Sequence, residues 1–162
     1  MSHMMLRRRF IYGTLLASAV KLTDGFALGN EMYFSFAFDL QADSQHAEIL
    51  AYKLYSGSEV LLSYQPIDPS RGRYTEGKTQ SGPRPTRFWV KWRDLNTNQE
   101  FTADADLRGK IPPAADNSTI YPMFDGGHLS IYLISPDEKR PDEPTIGPRM
   151  YRNNAATLIY SN

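Results

Sequence analysis

The chain has 162 residues, 41% of them hydrophobic and 12% aromatic, enough for one well-filled core and too few for two ordinary domains. Its 18 basic and 18 acidic residues balance, so no overall charge draws it to nucleic acid or anionic lipid. Cysteine is absent, which excludes disulfides, thiol nucleophiles and cysteine-ligated metals together.

Met1-Ser2-His3-Met4 reads as an expression scar covering residues 1–4, and His3 is set aside with it. Residues 5–27 have the three parts of an export signal: the basic cluster Arg7-Arg8-Arg9, a short apolar run from Phe10 to Val20, and small residues before a cut after Ala27. The arginines, and Lys21 directly behind the apolar run, give the segment a twin-arginine character. The run is too short to span a bilayer, so no stable membrane insertion is expected once the signal is removed. The alternative is a native amphipathic helix or first strand. Removal would leave residues 28–162 as a single, mildly acidic, β-rich domain, because the signal carries four cations against Asp24 alone.

From Glu31 the chain alternates. Phe34, Phe36, Phe38 and Leu40 fall on one side, Tyr33, Ser35, Ala37 and Asp39 on the other, which predicts a strand with an aromatic buried face. After a polar turn at residues 41–45, Leu50, Tyr52 and Leu54 alternate with Ile49, Ala51, Lys53 and Tyr55 in a second strand, broken at Gly57, although Ala47 to Leu54 could also make a helix. Val60 to Tyr64 is a third, short one. Residues 66–85 are punctuated by proline and glycine and are expected to form a long loop. Within them Gly72-Arg73-Tyr74-Thr75-Glu76-Gly77-Lys78-Thr79 formally satisfies a phosphate-loop pattern. The Gly82-Pro83 that follows forbids the helix such a loop must open, so the match is fortuitous.

Residues 86–107 hold both tryptophans and organise the fold. Phe88, Val90 and Trp92 alternate with Arg87, Trp89, Lys91 and Arg93; after Asn96-Thr97-Asn98 the pattern resumes through Phe101, Ala103 and Ala105 to Leu107, giving a β-hairpin. Ser118 to Phe124 is a further strand, assigned to a sheet edge because of Pro122. Asp125-Gly126-Gly127 turns it into the run His128 to Ser135, a second hairpin. Residues 136–149 form another proline-punctuated loop, and Ala155 to Tyr160 a last strand. No secure helical period occurs, so the expected fold is mainly β: a two-layer antiparallel sandwich with at most one or two short helices.

The residues supply no self-sufficient chemistry. His46 and His128 read as turn or surface histidines, and His46-Ala47-Glu48 lacks a third ligand for a metal. Asp104 and Asp106 share a strand face and read as a solvated pair, and there is no Gly-x-Ser-x-Gly elbow. No catalytic residue, metal or cofactor is therefore assigned, and an enzyme is not expected.

The series Phe88-Trp89-Val90-Lys91-Trp92-Arg93-Asp94, Asp104-Ala105-Asp106-Leu107-Arg108, Ile111-Pro112, Leu129-Ser130-Ile131-Tyr132-Leu133-Ile134 and Gly147-Pro148-Arg149 resembles a family of small exported bacterial proteins encoded beside type VI secretion lipase effectors. The resemblance spans roughly residues 31–160 and rests mainly on strand-core and turn residues. It implies a periplasmic immunity protein that binds and inhibits a secreted phospholipase toxin. A phospholipase mouth built to accept phosphate attracts acidic projections, so the expected partner-binding residues are Asp137, Glu138, Asp142 and Glu143, with Arg149 at the end of the same segment. The alternative is an exported ligand- or glycan-binding β module, which an exposed Trp89 or Tyr132 on a sheet face would favour.

Overall fold

A computed structural model describes residues 31–68 and 70–162; the scar and the export segment lie outside the described residues. The chain forms β1 (Glu31–Asp39), β2 (Ala47–Ser56), β3 (Glu59–Tyr64), β4 (Thr75–Pro83), β5 (Arg87–Asp94), β6 (Glu100–Asp106), β7 (Ser118–Asp125), β8 (His128–Glu138) and β9 (Asn154–Ser161), with one 3-10 turn at Arg149–Tyr151. A five-stranded sheet in the order β4-β1-β7-β8-β9 faces a four-stranded sheet in the order β3-β2-β5-β6. The expected mainly β, sandwich-like architecture is what the chain adopts. Every pairing is antiparallel except β1 with β7, which run parallel over Phe34–Phe36 and Ser118–Ile120.

The core lies where the two inner faces meet. Phe36 of one sheet packs against Tyr52 and Phe88 of the other, with ring centroids 5.0 and 5.4 Å apart. Trp92 is fully buried and contacts Phe101 and, across the layers, Phe124. These rings come from alternating positions of β1, β2, β5, β6 and β7, so the period-2 pattern of the sequence becomes one apolar layer.

The structure corrects four expectations. Residues 66–85 are not all loop: Thr75–Pro83 is an edge strand that pairs with β1 along its full length. No β4 residue is buried, so its sequence carries no hydrophobic period; the ladder with β1 makes it a strand. The glycine-rich Gly77-Lys78-Thr79 is therefore extended backbone. β7, assigned to an edge, lies inside its sheet. The parallel ladder with β1 ends at Ile120, so Pro122 sits where β7 is paired on one side only, and its missing N–H interrupts nothing there. In β2 a register shift between Ile49 and Ala51 puts Ile49 into the core with Tyr52 and Leu54, while Leu50 is buried outside that cluster, breaking the simple alternation. Finally β8 runs on to Glu138, so Asp137 and Glu138 end a strand instead of opening a loop.

Candidate functional site

Of the five expected partner-binding residues, Asp137 and Glu138 end β8, and Asp142, Glu143 and Arg149 lie on the segment that leads from it to β9. This segment is held from within. The Lys139 ammonium donates to the Glu143 carbonyl and to Thr145 Oγ1. The Glu143 carboxylate accepts from the Arg140 backbone N–H at 3.1 Å and from its guanidinium at 2.8 Å. Asp137 is bonded locally to Ser135. Glu143 is thus neutralised by Arg140, while Asp142 stands 4.0 Å from the same guanidinium and remains open to solvent. Of the four acids, Glu138 and Asp142 are the exposed pair with the weakest internal commitments, and Asp137 is capped only by its neighbour.

Arg149 is positioned by a different element. Its backbone N–H donates to Asp43 Oδ1 at 2.7 Å and its guanidinium to Ser44 Oγ at 2.8 Å, both on the β1–β2 turn. Asp43 is buried and also accepts the Tyr121 hydroxyl at 2.6 Å. Tyr121 in turn accepts the Asp39 backbone N–H at 2.7 Å and meets Tyr151 edge to face. Burial, and then the Asp43 carboxylate it serves, push the Tyr121 hydroxyl above its ordinary range, so it remains a donor. Further along, the Tyr132 ring lies directly under Gly147, where a side chain's first carbon would come within 3.2 Å of it. The return segment is therefore strapped across the outer face of the five-stranded sheet over Tyr121 and Tyr132. Two of its apolar side chains are partly open to solvent, Ile146 at 38% and Met150 at 57% exposure, the Met150 sulfur lying 3.7 Å from the Tyr121 hydroxyl.

Next to this strap the fold brings together residues that the sequence keeps apart. The β1–β2 turn, the β5–β6 turn and the β7–β8 hairpin converge on an open cleft of about 350 Å³ lined by His46, Asp94, Asn96, Met123, His128 and Tyr132, among others. Both histidines of the described residues line it, a convergence not visible in their spacing. Two of its three carboxylates, Asp94 and Asp43, already have structural work, while Asp125 is exposed. Asp94 accepts the Asn96 backbone N–H at 2.9 Å and the Thr97 hydroxyl at 2.8 Å, which hold it below the usual carboxylate range. Asp43 is committed to Tyr121 and Arg149 as above, and His128 Nε2 lies 3.1 Å from Ser161 Oγ. Gln45 accepts the Phe124 backbone N–H, while its buried Nε2 has no partner. Among the described residues no three His, Cys, Asp or Glu side chains gather closely enough to hold a metal ion.

Asp104 and Asp106 lie, as expected, on one face of β6, and each is paired with a cation. Asp104 meets Arg87 at 3.2 Å, and Asp106 meets Arg108 at 2.6 Å. Trp89 is half-buried on the same outer face of the four-stranded sheet. Compared with known protein families, curated proteins and solved structures, the chain gives no match.

Proposed function

We propose that this chain is a periplasmic immunity protein, a non-catalytic binder that inhibits a type VI secretion phospholipase toxin, and that the strap between β8 and β9 is its docking element. The reading starts from the resemblance carried by the strand and turn residues of 31–160. The observation that supports it best is the build of the strap. The strap carries the apolar Ile146 and Met150 and the charged Glu138, Asp142 and Arg149 on backbone already fixed by Lys139, Glu143, Asp43 and Tyr121. Apolar side chains ringed by charge form the usual centre and rim of a protein interface. A segment ordered before contact loses less conformational freedom on docking than a free loop of the same length. Prolines 136, 141, 144 and 148 add to that restriction.

The test is co-expression of residues 28–162 with the phospholipase encoded beside the native gene, followed by co-purification and a lipase assay. A stable complex with suppressed lipase activity is expected, and the Ile146→Asp variant should weaken it while keeping its urea midpoint. Absence of any complex with the wild-type chain would overturn the reading.

A further inference from the structure

On the opposite side of the sandwich from the strap, the outer face of the four-stranded sheet is uncovered among the described residues. Its centre is Trp89 on β5. Trp89 stands directly across from Lys53 on β2 and Asp104 on β6. One register step away, Tyr55 faces Arg87, whose guanidinium lies 4.2 Å from the centre of the Tyr55 ring. One step the other way, Ala51 faces Lys91. The small Ala51 side chain leaves the floor beside Trp89 open, and the depression has a volume of about 520 Å³.

The charges on this face are distributed unevenly. Arg87 is paired with Asp104 at 3.2 Å and Lys91 with Glu100 at 2.6 Å, both towards β6. Arg93 is shared between Glu48 and Glu100. Lys53 has no carboxylate within ion-pair distance among the described residues. The aromatic plane of Trp89 is thus bordered on its β2 side by an uncompensated cation, with Tyr55 beside it.

We propose that this face binds an anionic saccharide. The exposed part of the half-buried indole offers an apolar surface that suits the C–H face of a pyranose ring. Lys53 is placed to meet a carboxylate or sulfate on the same sugar, and the ion-paired Arg87 and Lys91 keep hydrogen-bond donors at the rim for ring hydroxyls. A neutral sugar would leave Lys53 unanswered, and a cationic ligand would be repelled by it. The proposal is independent of the immunity reading, because the strap and Trp89 lie on opposite outer faces.

The experiment is a tryptophan-fluorescence and calorimetric titration of residues 28–162 with a galacturonate trisaccharide, a hyaluronan tetrasaccharide and a heparin-derived tetrasaccharide, with maltotriose as the neutral control. At least one anionic probe should bind saturably and shift the emission of Trp89, while buried Trp92 stays silent. Trp89→Ala should weaken that binding by about tenfold or more, and Lys53→Glu should do the same with the folding midpoint retained. Lys53→Arg should restore it. Failure of all three anionic probes to bind would overturn the proposal. So would equal affinity for maltotriose, or undiminished binding by Trp89→Ala.

Discussion

The indole Nε1–H of Trp92 donates to the carbonyl oxygen of Gly126 at 2.8 Å, and this bond ties the β5–β6 hairpin of one sheet to the turn of the β7–β8 hairpin in the other. The contact is the polar end of an otherwise apolar junction. The Trp92 ring stacks on Phe101 at 5.6 Å and meets Phe124 at 5.3 Å. A buried tryptophan needs a partner for its N–H, and a glycine turn exposes the carbonyl that supplies one.

Trp92→Ala should therefore destabilise the fold by roughly 3–5 kcal/mol, the usual cost of truncating a fully buried aromatic ring. Trp92→Phe separates the two contributions. It keeps much of the packing but leaves the Gly126 carbonyl without this donor, for a smaller loss of about 1–3 kcal/mol. Urea midpoints of the three proteins measure both. A loss below about 1 kcal/mol in the alanine variant would mean that the junction does not hold the sheets together.

Gly127 gives the same junction a steric test. An added Cβ at Gly127 would approach the Phe101 ring to 2.7 Å, so the ring that stacks on Trp92 would have to move. Gly126, at φ 56°, has open space around it but a left-handed backbone. Gly127→Ala is expected to cost about 1–3 kcal/mol through overpacking, and Gly126→Ala about 1–2 kcal/mol through backbone strain. The two should differ in near-ultraviolet circular dichroism, with the aromatic signal changed by Gly127→Ala and preserved by Gly126→Ala.

Both hairpins of this junction were legible in the sequence, because each carries alternating apolar residues on either side of a turn-forming cluster. β4 was not, since an edge strand with no buried residue leaves no period to read and takes its conformation from β1. Pro122 signals an edge only locally, because the two partners of β7 stop at different residues, β1 at Ile120 and β8 at Asp125. At the candidate interface the sequence located the acids and prolines but not what fixes them. The bond from Arg149 to Asp43 spans 106 residues, and the Asp43–Tyr121 bond spans 78, separations that local pattern cannot report. Trp89 was readable as an outward position on β5, whereas the lack of an ion-pair partner for Lys53 depends on where Asp104 and Glu100 are drawn.

Acid should loosen the turns before the core. Asp94 is held below its ordinary value by the Asn96 N–H and Thr97 hydroxyl, Glu100 by Lys91 and Arg93, and Asp106 down to about 2 by Arg108. A carboxylate whose folded value is depressed binds fewer protons folded than unfolded. Its contribution is fully present above the unfolded value, near 4 for Asp and Glu, and is lost as the pH falls through the folded one. Urea midpoints should hold steady from about pH 7 to 5 and then decline towards about pH 2. Asp94→Asn should flatten part of that decline, and an identical profile in the variant would remove Asp94 from the account.

The tie between Tyr121 and Asp43 predicts a way to loosen the strap without unfolding the sandwich. Tyr121→Phe deletes the hydroxyl that donates to Asp43 and accepts from Asp39, leaving a buried carboxylate with the Arg149 N–H alone. The cost should be about 1–3 kcal/mol, concentrated in the strap. Hydrogen exchange should speed up at residues 149–151 and in the β1–β2 turn while β5 and β6 keep their protection. Uniform acceleration across both sheets would mean that Tyr121 serves the core as a whole.

The acids on the strap bear on recognition in a different way, because they act at a distance. Glu143 is already compensated by Arg140, so the field that the strap projects comes mainly from Glu138, Asp142 and the locally capped Asp137. Changing Asp137, Glu138, Asp142 and Glu143 to their amides should slow association with the proposed phospholipase partner and flatten its salt dependence, with any change in dissociation coming from Glu143 alone. Restoring Glu143 alone should return little of the rate, since its charge is internally matched, whereas restoring Asp142 should return more. Glu143→Gln also weakens the bracket to Arg140, so its effect should fall on dissociation, through a less ordered strap. Stopped-flow association at two salt concentrations separates these outcomes. Equal rates for the wild type and the quadruple variant would remove electrostatic steering by the strap and leave Ile146 and Met150 as the contacts that any interface there must use.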